Sequence, residues 1–133
     1  PELKQAFAEV KELFARDIAL RKVDWNKTFY LTTDASLTGI GAWIGQKDER
    51  GRLAPVICAS KKLSETQRRW SATKQELYAL MWAMEKFRGY LLGCHFIARV
   101  DHKPLVHMLK NRMTTMTEKW LDTILSFYWR FPK

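Results

Sequence analysis

The chain has 133 residues, 47% of them hydrophobic, and carries a net charge of +9 with a pI near 9.8. That is the length of a single domain with enough apolar side chains for a true core, and no stretch is long and apolar enough to span a bilayer. No secretory signal opens the chain, and basicity on this scale suits a polyanionic partner, nucleic acid before membrane.

Leu3, Phe7, Val10 and Phe14 recur at helical spacing, which predicts an amphipathic helix over residues 2–16. TFYLTTD (28–34) is β-branched and aromatic, the signature of a strand. IGAWIGQ (40–46) reads as a second strand, with Gly39, Gly41 and Gly45 marking a bulge or a close backbone approach. KDERGR (47–52) is a polar turn. LAPVICAS (53–60) is a third strand, placed at a sheet edge by Pro55. These three form a predicted antiparallel meander.

The apolar period then changes. Leu77, Leu80, Met81, Met84, Phe87 and Leu91 predict one long helix, stopped by Gly93. HFIARVD (95–101) is a fourth strand, expected to lie parallel to an earlier one because a helix precedes it. Pro104 opens a short helix running to about Asn111. Thr115 and Glu118 fit a capping box ahead of a helix carrying Trp120, Leu121, Ile124 and Leu125. FYWRF (127–131) begins a fifth strand. The order is β-β-β-α-β-α-α-β behind a leading helix, an α/β arrangement. Cys58 and Cys94 form no CxxC and sit beside apolar residues, so they are expected to be buried free thiols in a reducing compartment.

If the first and fourth strands are parallel neighbours, Asp34 and Asp101 share their carboxyl ends, where α/β sheets build sites. Two close carboxylates repel unless a proton or cation lies between them, and oxygen ligands of this kind suit Mg²⁺. Glu76, in the first turn of the long helix, is a third candidate. The plainer alternatives are a Thr73–Glu76 capping box and turn initiation by the aspartates. Among the aromatics, Trp70, Trp82 and Trp120 are better explained by packing than by base stacking, and Trp43 stays open. His95, His102 and His107 make no metal spacing with cysteine. His102 is a surface residue or a loop residue near substrate.

TTDASLTGIGAWIGQ, ASKKLSETQRRWSATKQELYALMWAMEKFRGYLLG and ARVDHKPL closely resemble the ribonuclease H domain of gypsy-type LTR-retrotransposon reverse transcriptases. Val100 stands where the family pattern has threonine. The resemblance covers about residues 28–128 and implies a ribonuclease H-like mixed sheet of about five strands with flanking helices, over residues 28–133. Residues 1–27 are then a connecting helix and lead-in.

It further implies a nuclease that cuts the RNA strand of RNA–DNA hybrids, with two Mg²⁺ (or Mn²⁺) ions as cofactors and the polymerase part of the same polyprotein as a partner, in the cytoplasm or nucleus. Asp34 matches the carboxylate bridging both ions. Glu76 and Asp101 match the second and third ligands. Ser36, Thr73 and Lys103 are placed near the hybrid, whose minor groove the small residues after Asp34 would admit. The family's fourth carboxylate belongs to a segment after the fifth strand. This sequence reaches Lys133 before it, and Asp122 belongs to the preceding helix. The expectation is therefore a C-terminally incomplete domain with impaired cutting, or a non-catalytic module of the same fold that binds nucleic acid or protein.

Overall fold

A computed structural model describes residues 23–110 and 118–132. The expected helix over 2–16, Asn111 and Thr115 lie outside the described residues. Strands β1 (Phe29–Ala35), β2 (Gly39–Lys47) and β3 (Leu53–Lys62) form the antiparallel meander. Helices α1 (Glu65–Arg68), α2 (Ala72–Lys86) and α3 (Arg88–Leu91) cross to β4 (Phe96–Val100). Helices α4 (Lys103–Lys110) and α5 (Glu118–Leu125) lead to β5 (Trp129–Arg130). The sheet runs β3-β2-β1-β4-β5, with β4 parallel to β1 and β5 parallel to β4.

The alternation of β1 decides which way it faces. Phe29 and Leu31 point to the helical layer, where they meet Ala42 and Ile44 of β2 and Leu77, Leu80 and Met84 of α2 in one buried cluster. Helix α2 packs on β1 and β2 and is backed by α4 and α5, so six consecutive residues, Gln75–Leu80, are buried. Truncating Leu77 or Leu80 to alanine there costs about 2–5 kcal/mol.

The edge assignment of Pro55 holds, since β3 is outermost. The register slips beside it: Ile44 faces Ile57 but Gly45 faces Pro55, leaving Val56 as the extra residue of a bulge. Gly45 also permits a close approach, because a Cβ there would stand 2.7 Å from both the Ala54 carbonyl oxygen and the Trp43 ring. Trp43, only 2% exposed, packs against Leu53 and Cys58, which removes it as a base-stacking surface.

Several expectations need correction. The long helix does not continue to Gly93. Phe87 leaves helical geometry (φ −102°, ψ 22°) with its ring buried, and a separate turn, α3, follows. Gly93 does adopt the left-handed backbone (φ +85°) beyond that turn. The capping box is not at Thr73–Glu76. Helix α2 starts earlier, capped by Ser71, whose hydroxyl accepts from Lys74 N at 3.2 Å, and Thr73 is already inside it. A true capping box lies on α1, which periodicity alone could not show in four residues: Ser64 Oγ accepts from Gln67 N, and Gln67 Oε1 accepts from Ser64 N. Cys58 and Cys94 are half-buried rather than buried.

Candidate active site

Parallel pairing of β1 with β4 brings Thr33 opposite Val100, so the next residues on the two chains are Asp34 and Asp101. Asp34 lies inside β1, paired with Gly41 of β2, and its Oδ1 accepts from Ala35 N at 3.0 Å. Asp101 follows the last residue of β4. Glu76 comes from the layer above, on the second turn of α2, and is 8% exposed. The cap of α2 is Ser71, so Thr73 and Glu76 do not form its capping box.

These three carboxylates line one open cleft of about 530 Å³ together with Ser36, Ala72, Gln75 and His102. Among the described residues, no lysine or arginine lines it. The donor set is all-oxygen where the carboxylates gather, which suits a hard divalent cation. Among the described residues, no three His, Cys, Asp or Glu side chains stand close enough together to hold a metal as placed. The cleft presents the ligands on shared walls, and side-chain rotation is needed to converge them.

The three residues expected near a nucleic-acid strand are divided. Ser36 lines the cleft but also closes the β1–β2 turn: its N–H and hydroxyl both reach the Gly39 carbonyl (2.8 and 3.1 Å), and its Oγ accepts from Gly39 N. Thr73 is on the rim, its Oγ1 3.0 Å from His102 Nε2. That bond ties α2 to the loop that follows Asp101. Lys103 is exposed at the start of α4 and is not among the lining residues. Asp122 is exposed on α5, also away from the lining.

Of the two alternatives for His102, the cleft lining favours the loop residue beside the site, and its link to Thr73, which the sequence did not show, joins positions 29 apart. Gln75 escaped the sequence reading. Gln75 Nε2 donates to the carbonyls of Gln67 (3.0 Å) and Arg68 (3.3 Å), fastening α1 to α2 beside the cleft.

The family described as "RNase H-like domain found in reverse transcriptase" matches residues 24–127. The retrovirus-related Pol polyprotein from transposon 297 of Drosophila melanogaster is 38% identical over 121 residues, which is 90% of this chain and 11% of that protein. The Pol polyprotein from transposon gypsy of the same fly is 34% identical over 124 residues, 91% of this chain and 12% of that one. The chain thus spans about a tenth of the length of these curated relatives. A foamy viral protease-reverse transcriptase in complex with dsDNA superimposes with a TM-score of 0.67 at 14% identity, over 98% of this chain and 29% of that one. LC11-RNase H1 in complex with RNA/DNA hybrid gives 0.53 at 15% identity, over 79% and 82%. At such identities the structural likeness establishes the ribonuclease H fold, while the family match and the fly relatives establish kinship. The chain belongs to the RNase H-like domains of retroelement reverse transcriptases.

Proposed function

We propose that this chain hydrolyses the RNA strand of RNA–DNA hybrids as part of a Pol polyprotein, with Asp34, Glu76 and Asp101 holding Mg²⁺ or Mn²⁺. The observation that carries the reading is the meeting of three carboxylates from β1, α2 and the end of β4 on one cleft. When bound, a pair of such ions supplies an activated water and charge stabilisation at the departing oxygen. Asp34 is steadied for its part by the Ala35 N–H. Thr73 holds His102, and through it the loop bearing Asp101. Ala35, Ser36 and Ala72 give the wall small side chains, so a strand's sugar and its 2′-hydroxyl can come close. Two relatives by fold are bound to dsDNA and to RNA/DNA hybrid, which supports a duplex as the partner. The polymerase part of the same polyprotein is the second proposed partner.

The test is hydrolysis of an end-labelled hybrid with and without Mg²⁺, by the wild type and by Glu76→Gln. RNA cleavage that needs both the metal and Glu76 is expected. Equal cleavage by the variant would remove the carboxylate set from the chemistry. A longer segment of the polyprotein is assayed in parallel. The second reading, a non-catalytic binding module, draws on the unconverged carboxylates. Hybrid binding without cleavage by either version would favour it.

A further inference from the structure

Beside the cleft, on another flank of α2, lies a cluster the proposed chemistry does not use. The rings of Trp70, Tyr78 and Trp120 stand with mutual centroid distances of 5.3–5.5 Å. One ammonium group lies over the tryptophan rings and a second is bonded to the tyrosine hydroxyl. Lys74 Nζ is 4.3 Å from the Trp70 centroid and 5.8 Å from that of Trp120. Lys61 Nζ is 5.4 Å from the Tyr78 centroid and donates to its hydroxyl at 2.8 Å. Lys62, Arg68, Arg69 and Lys119 adjoin these residues in sequence and are exposed. Among the described residues no carboxylate pairs with Lys61 or Lys74.

A lysine normally keeps its charge on a mobile stem and loses rotamer entropy when a ligand fixes it. The ring faces under Lys74 and the Tyr78 hydroxyl on Lys61 hold the two ammonium groups in advance, which reduces that cost and leaves their outer sides open to an anion. The cluster is therefore a preorganised pair of unneutralised cations. It shares α2 with the cleft: Gln75 and Glu76 line the cleft, and Lys74 directly precedes them in sequence.

We infer that the Lys61–Lys74 aromatic platform is a second contact for the phosphate backbone of the duplex seated in the cleft. This rests on the reading of the cleft as a hybrid site. Fluorescence anisotropy with a labelled RNA–DNA hybrid, without divalent ions, tests it through the slope of log Kobs against log salt. Each phosphate contact contributes about −0.9 to that slope. The Lys61→Gln, Lys74→Gln double variant is expected to be shallower by about two and the single Lys61→Gln by about one. Lys61 is exposed, so the single variant keeps the test valid if the double variant fails to fold. Lys86→Gln, an equal loss of charge at the exposed far end of α2, is the control, and arginine at both positions should restore the slope. Slopes indistinguishable from that control overturn the platform, even if the wild type cuts hybrid normally. Shifted slopes in a protein that never cuts uphold the platform and count only against the hydrolase.

Discussion

The two ends of the central sheet use their polar groups in opposite ways. At one end Gln46, 5% exposed, turns its amide wholly to the backbone: Oε1 accepts from Asp24 N at 3.0 Å, and Nε2 donates to the carbonyls of Asp24 (2.7 Å) and Lys27 (3.2 Å). A neutral amide both donates and accepts, so a passing loop can satisfy it, and the lead-in is pinned to β2. At the other end buried Glu76, half-buried Asp34 and exposed Asp101 are, as carboxylates, acceptors only, and the Ala35 N–H is among the partners of Asp34. Three such groups on one cleft repel, and a cation is the partner that relieves them. Burial alone therefore does not mark a site. The balance of donors and acceptors around the buried group does.

The largest effect expected from this contrast is on catalysis. Glu76→Gln should lower hybrid cleavage by ~100-fold or more, while its melting temperature changes little because the amide keeps the side chain's size and shape. Parallel loss of activity and stability in a cleavage assay and a thermal melt would make Glu76 a structural residue like Gln46. Next is the metal itself. Mg²⁺ at a hundred times its Kd should stabilise the fold by about 2.7 kcal/mol, and Asp34→Asn should blunt that response. A melting curve shifted equally in both proteins places the ion elsewhere.

Gln46→Leu tests the structural end. It strands the Asp24 N–H and two carbonyls and should cost about 1–3 kcal/mol in urea unfolding. Cleavage measured well below the melting point should be unchanged. A variant that stays folded yet stops cutting would break the division between the two ends. The smallest effect is expected at Thr73→Val, which removes the bond to His102. It should cost about 0.5–1.5 kcal/mol and reduce cleavage a few-fold by loosening the loop after Asp101. Wild-type rates at every hybrid concentration would show that the tie does not position that loop.

Much of this could be read along the chain because the relevant physics is local. Alternating β-branched and aromatic residues marked β1, Pro55 marked the edge strand, and the apolar spacing from Leu77 to Met84 marked α2. Asp34 and Asp101 were traceable as a pair because both follow strand patterns that a helix crossover makes parallel. The misreadings also have local causes. Thr73 and Glu76 have capping-box spacing, but only backbone angles tell that Ser71 is the first half-helical residue. Helical spacing passes through Phe87 without a mark, since burial of its ring accompanies a break that no glycine or proline announces. Gln46 lies in β2 as its strand pattern indicated, but its side-chain role was not legible. Its three bonds reach back about twenty residues to a lead-in with no signal of its own.

By itself, then, the sequence determined the strands and helices, their α/β order, the basic charge and the three carboxylates, since each depends on composition or on spacing within one element. The tertiary structure alone decided that Glu76 faces the same cleft as Asp34 and Asp101, that Thr73 holds His102, and that Lys74 lies over Trp70 and Trp120. Those are meetings between residues tens of positions apart. Which face of α2 turns to the sheet, and which neighbours close over it, follows from packing the whole core at once.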